Sequence, residues 1–304
     1  MQRRTSLAAA LTGLAGLSLA PFSLALAAPM LQSLKPSTRM PVLFVGHGSP
    51  MNAIEDNHWR RSWQSLGVEL LKRSERPQMI LCISAHWLTR GSWQLTGMAQ
   101  PRTIHDFGGF PQALFDQQYP APGAPEVAKA LSKELRSPAN GGALGIDERE
   151  WGLDHGTWSA LKPMFPLADI PVVQLSMDYD RAPQDHYLLG QQLQKLRERG
   201  VLIVGSGNIV HNLRVTRRGA GQNETYDWAA EFDTVVQDQI KKGQLDALAN
   251  FQKLGQVARM SHPTHEHYLP LLYAAGAALA SEMPRFFNTG FQSASISMRS
   301  VVWG

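Results

Sequence analysis

A single-domain α/β fold in three layers, helices on both faces of a mostly parallel or mixed central sheet, is what this sequence predicts. Three observations carry that reading. Short Val- and Ile-rich runs of strand length recur along the chain, and segments with apolar residues at helical spacing lie between them. The 304 residues are 43% hydrophobic and 18% charged, which suffices for one large core. Residues 41–45 and 79–84 read as strands buried on both faces, because their apolar residues are continuous rather than alternating. Residues 171–176 and 201–205 repeat the pattern. Helices are expected over 126–135, 184–199, 226–240 and 269–280. The second closes on Arg197, Arg199 and Gly200, cations and a left-handed glycine being suited to a helix C-terminus. The last is nearly all apolar, with Pro270 in its first turn. Residues 296–303 are expected to close the sheet. Gly- and Pro-rich loops occupy 103–125 and 137–145, and Asp106-Phe107-Gly108-Gly109-Phe110-Pro111 makes the first a candidate pocket wall.

The amino terminus reads as a twin-arginine signal peptide over residues 1–28. Arg3 and Arg4 precede an uncharged apolar stretch, and Ala25-Leu26-Ala27 offers a small-x-small cleavage site. Export to the periplasm is therefore expected, with residues 29–304 as the catalytic domain. An uncleaved membrane anchor is the alternative, weakened by Gly13, Gly16 and Pro21, and with the leader removed no stable membrane partner is expected. Taking Arg3 and Arg4 from the formal charge of +4 leaves +2, too weak a balance for nucleic acid. The single cysteine, Cys82, excludes a disulfide framework within the chain and a multi-thiolate metal site. Its apolar neighbours predict an inert core thiol.

In open α/β sheets ligands bind beyond the carboxyl ends of the strands, so the residues after each apolar run are informative. Three runs lead to histidine: Gly46-His47-Gly48, Ala85-His86-Trp87 and Ser206-Gly207-Asn208-Ile209-Val210-His211. A lone histidine there is more often a hydrogen-bonded structural residue. The repetition points instead to a shared centre, and imidazole suits iron, zinc, copper and nickel. Glycines beside His47 permit the sharp bend that such a centre needs. A further cluster holds His262, His265, Glu266 and His267 before the apolar helix. His265 and His267 would not share a helix face, and His267, nearest the helix start, is the expected contributor, with Glu266 as an alternative donor. His105 and Asp106 are expected in a substrate loop, and His58 and His186 on the surface. Trp87, Trp151 and Trp158 are candidates for an aromatic pocket, although core packing is the commoner fate. Gly46-His47-Gly48-Ser49 and Gly205-Ser206-Gly207 do not fit the Gly-x-Ser-x-Gly elbow, which sets a serine hydrolase aside.

Taken in order, Gly46-His47-Gly48-Ser49-Pro50-Met51, Ser84-Ala85-His86-Trp87, residues 104–111, Asp154-His155-Gly156, Gly207-Asn208-Ile209-Val210-His211-Asn212-Leu213 and Glu266-His267-Tyr268-Leu269-Pro270 resemble the LigB-type, class III extradiol dioxygenases. The resemblance is narrower still to the bacterial DOPA-type branch and spans roughly the whole mature chain. It implies that His47, His86 and His267 are metal ligands. His211 corresponds to an acid/base beside the metal, or to a further ligand. His155 would hydrogen-bond oxygen or substrate, orient a ligand, or be structural. Fe(II) is the cofactor implied for catalysis, and Zn(II) fits the same three imidazoles, since the usual carboxylate ligand is missing. The implied substrates are a small aromatic diol and dioxygen, the product a muconic semialdehyde. A zinc-dependent hydrolase using the same histidines is the alternative, and a metal-binding protein without turnover is a third reading.

Overall fold

The computed structural model describes residues 34–304, so the predicted leader lies outside the described residues. Its strands are β1 (Val42–Gly46), β2 (Met79–Thr89), β3 (Gln94–Thr96), β4 (Gly145–Asp147), β5 (Val172–Asp178), β6 (Val201–Gly207), β7 (Pro284–Phe287), β8 (Phe291–Gln292), β9 (Ile296–Ser297) and β10 (Ser300–Trp303). The main sheet has the order β4-β3-β5-β2-β6-β1-β10-β7. Its middle, β5-β2-β6-β1, is parallel throughout. Antiparallel pairing enters where β3 meets β5 on one side, and where β10 and β7 follow β1 on the other. The sheet is therefore mixed, within the predicted class.

The helices are α1 (His58–Leu71), α2 (Gln112–Phe115), α3 (Pro125–Glu134), α4 (His155–Met164), α5 (Pro183–Gln192), α6 (Asp227–Lys241), α7 (Gln256–Ser261) and α8 (Leu269–Ala277). Because successive strand residues face opposite sides, each central strand feeds two cores. Phe44, Leu81, Ile83, Leu175 and Ile203 pack with residues of α3, α5, α6 and α8. Leu43, Val45, Ile80, Val172 and Val204 pack on the other face with residues of α1 and α4. Each such fully buried side chain contributes about 1.5–3 kcal/mol relative to exposure, so the parallel strands form a rigid platform. Cys82 lies in the second core, where burial pushes its thiol well above the ordinary range, consistent with an inert residue.

Some elements depart from expectation. The strand expected over 79–84 runs on to Thr89, and its pairing with β5 slips register between Ile83 and Leu88. The helix expected over 184–199 stops at Gln192, and a 3-10 stretch (Gln194–Arg199) carries the chain to Gly200, which is left-handed at φ 71°. The final run divides: β10 enters the sheet between β1 and β7, which leaves β7 as the edge, while β9 pairs with β8 in a separate ribbon. His186, expected on the surface, is fully buried. The tight packing of α5 on α8 encloses it, and its Nδ1 lies 2.7 Å from the Tyr273 hydroxyl, to which Trp93 Nε1 donates. Trp158 is a core residue, and Trp87 stacks on Trp151 beside a different groove, so none of the three tryptophans lines the histidine cavity.

Candidate metal centre

The carboxyl ends of β1, β2 and β6 and the turn before α8 meet in one place. His47 follows β1, where Gly48 turns the chain at φ 58° and Asn52 Nδ2 donates to the His47 carbonyl. His86 lies on β2 within the register slip, a device that re-aims a side chain. His267 is delivered by the packing of α8 on β6. The Asn208 backbone N–H donates to the His267 carbonyl at 2.8 Å, and a Cβ on Gly207 would lie 2.2 Å from that oxygen, so glycine is required there.

The three rings form a nearly equilateral triangle, with centroids 5.2 Å (His47 to His86), 5.3 Å (His47 to His267) and 5.1 Å (His86 to His267) apart. One nitrogen from each lies within 4.8 Å of the others, and the Nε2 atoms of His47 and His86 are 3.4 Å apart. Each Nδ1 faces an oxygen. Ser206 Oγ lies 3.0 Å from His47 Nδ1 and donates its own hydrogen to the Gly156 carbonyl, so it must accept from the imidazole. Asp106 Oδ2 lies 3.2 Å from His86 Nδ1, and Glu266 Oε1 lies 3.1 Å from His267 Nδ1. Carboxylates only accept, so these neighbours favour the tautomer with hydrogen on Nδ1, which turns the Nε2 lone pairs toward the centre. Burial, reinforced by mutual repulsion among the neighbouring histidines, holds all three well below the ordinary imidazole range. Neutral lone pairs turned toward one another repel unless a cation lies between them. This donor set fits a borderline metal ion such as iron or zinc.

Two more histidines flank the triangle. His211 stacks on His267 with ring centroids 3.5 Å apart and planes 7° from parallel; it is not a corner of the His47–His86–His267 triangle but forms a second possible donor group with Glu266 and His267. Burial, with His155 adding, lowers its pKa to about 4. The His155 ring centroid is 3.8 Å from that of His86. Its backbone N–H donates to Asp106 Oδ1 at 2.9 Å, and its Nδ1 lies 3.0 Å from Asp106 Oδ2, off the line of a good hydrogen bond. Burial opposes ionisation of Asp106, but His155 and His86 outweigh it and the pKa falls to about 2.

Sequence reasoning did not anticipate helix α4, which is capped by Asp154, whose side chain accepts from the Thr157 N–H. That start fixes His155. The roles of Ser206 and Asp106 as partners of the ring nitrogens were also missed, although Asp106 lies in the expected loop. Glu266, the alternative donor, faces the outer nitrogen of His267 and accepts from Thr264 Oγ1, and it lies in a possible donor group with His211 and His267. His265 stacks on Tyr179, and His262 Nε2 lies 2.6 Å from the Ile209 carbonyl. His105 is likewise occupied, its Nε2 2.9 Å from the Gln117 carbonyl. The five clustered histidines sit in a cavity of about 830 Å³ whose walls include Met51, Phe107, Phe110, Leu213 and Ile296. The expectation that loop 103–125 supplies a wall holds through Phe107 and Phe110.

Fold and site together define an α/β protein with a three-histidine donor set at the base of an aromatic-walled cavity. The family model of the catalytic LigB subunit of aromatic ring-opening dioxygenase matches residues 41–302, and the chain belongs to that family. It is 47% identical over 271 residues to the 4,5-DOPA dioxygenase extradiol of Escherichia coli (strain K12), covering 88% of this chain and 96% of that one. It is 36% identical over 236 residues to the Beta vulgaris protein of the same name, covering 77% of this chain and 85% of the relative. The crystal structure of an uncharacterized protein from Escherichia coli K12 superposes with a TM-score of 0.73 at 40% identity, covering 88% of this chain and 100% of that one. The protein is thus an extradiol ring-opening dioxygenase, and these relatives lend the hydrolase alternative no support.

Proposed function

We propose that the protein opens the ring of a catechol of the DOPA type beside its diol, placing both atoms of dioxygen in a muconic semialdehyde product. In this reading His47, His86 and His267 hold one Fe(II), while Zn(II) would occupy the same nitrogens without supporting oxygen chemistry. The observation that carries it is the triangle of imidazoles whose outer nitrogens each lie beside an oxygen atom of Ser206, Asp106 or Glu266. Bound there, a ferrous ion supplies Lewis acidity toward the catechol oxygens and the one-electron chemistry that lets triplet dioxygen react with a singlet ring.

The chain's own residues do the rest. His211, buried and neutral at pH 7, stacks on His267 at the cavity base and is placed to accept a proton from a catechol hydroxyl and return it during ring opening. His155, tied to the ionised Asp106 through its backbone N–H and with Nδ1 close to the same carboxylate, keeps Nε2 for a hydrogen bond to substrate or oxygen. Asp106 orients both His86 and His155, and Ser206 orients His47. Phe107 and Phe110 exclude water from the ring.

The same reading puts the reaction in the periplasm, reached by the twin-arginine leader; fractionation and amino-terminal sequencing should find a chain beginning near Ala28 outside the cytoplasm. The activity itself is tested by anaerobic loading with Fe(II) or Zn(II) and addition of DOPA. Oxygen uptake equal to yellow product formed is expected with iron alone. Ester or amide hydrolysis by the zinc form without oxygen uptake by the iron form would overturn the reading.

A further inference from the structure

We propose that the mouth of the histidine cavity is a subsite for a zwitterionic tail on the catechol, Arg218 taking its carboxylate and Glu55 its ammonium. This deepens the proposed function and rests on it. Among the described residues the charged side chains lining the cavity are Glu55, Asp106 and Arg218. Asp106 is committed between His86 and His155. The Gln292 amide is committed as well, accepting from the Ser49 N–H and exchanging hydrogen bonds with Asn52. Arg218 and Glu55 are different, for neither enters an ion pair among the described residues.

The surroundings sharpen the choice. Arg217 is held over the Tyr226 ring at 4.2 Å, and Arg214 lines grooves outside this cavity, which leaves Arg218 as the cation facing it. An α-amino acid carries both charges on one carbon. A cavity with histidines at its base, aromatic walls and one free charge of each sign can therefore read ring and tail at once. A catechol with only an ammonium or only a carboxylate meets one partner and faces one like charge; a plain catechol meets neither.

The test is steady-state oxygen uptake by the Fe(II)-loaded full chain and its Arg218→Ala, Arg218→Lys and Glu55→Gln variants. The substrates are L-DOPA, dopamine, 3-(3,4-dihydroxyphenyl)propionate and 4-methylcatechol. Arg218→Ala is expected to lower kcat/KM for DOPA relative to 4-methylcatechol roughly tenfold, through KM rather than kcat, with Arg218→Lys recovering part of the loss. Glu55→Gln should raise KM for DOPA and dopamine and lower it for the propionate. Changes of equal size for all four substrates, or no change, would overturn the subsite while leaving ring opening intact. Failure of the iron-loaded parent enzyme to consume oxygen with any of the four would overturn the ring-opening reading and the subsite together.

Discussion

Two regions of this molecule bury histidine, and they do so in opposite ways. Beneath α8, the His186 ring packs against the Tyr273 hydroxyl, which Trp93 in turn engages, and it belongs to no possible metal-donor group among the described residues. At the start of the same helix, His267 joins His47 and His86 with bare nitrogens turned inward and their outer nitrogens fixed by Ser206, Asp106 and Glu266. Burial lowers the pKa in both places, so desolvation alone does not mark a functional histidine. The mark is several lone pairs aimed at a common point, each held in one tautomer by a neighbour.

The largest effects expected from that contrast come from the triangle. His47→Ala, His86→Ala and His267→Ala should each abolish stoichiometric metal, measured by mass spectrometry, and lower turnover by on the order of a thousandfold. Retention of metal and rate in any one would break the comparison at that corner. His211→Ala should keep most of the metal yet lose roughly 10²–10⁴-fold in kcat, because its ring stacks beside the triangle without belonging to it. Asp106→Asn should weaken metal affinity roughly 10–100-fold, as the acceptor facing His86 Nδ1 becomes neutral. His186→Leu should leave metal content intact and cost about 1–3 kcal/mol in denaturant unfolding, since the Tyr273 hydroxyl, which accepts from Trp93, loses the acceptor for its own hydrogen.

The smallest effect concerns pH. An imidazole with a folded-state pKa below about 6.5 takes its proton first in the unfolded chain, so stability is level above that pH and falls below it. The metal-free protein should therefore lose melting temperature between pH 7 and pH 5, His186 and His262, both lowered to about 3 by burial, contributing with the triangle. A metal-loaded sample should lose less, because protons must then compete with the ion. Identical slopes for both samples would mean that the triangle does not bind the metal.

Much of this was legible before any coordinates, for a physical reason. Strands buried on both faces leave continuous apolar runs, and the residues that end them must sit at one edge of the sheet, so His47, His86 and His211 announced a common location. Spacing at a helix start also separated His267 from His265. What sequence could not supply was contact between distant segments. Nothing near His86 announces that Asp106 will bridge it to His155, and nothing in the polar pattern around His186 shows that α8 will close over it. Helix α4 was hidden because Pro163, one residue before its end, is a residue type that argues against helix in a sequence.

Anomalous diffraction from crystals grown anaerobically with Fe(II), recorded at the iron edge, tests the central claim most directly. One iron peak is predicted, within bonding distance of Nε2 of His47, His86 and His267 together. A peak that one of these rings does not reach, or iron bound only elsewhere on the protein, would contradict the account.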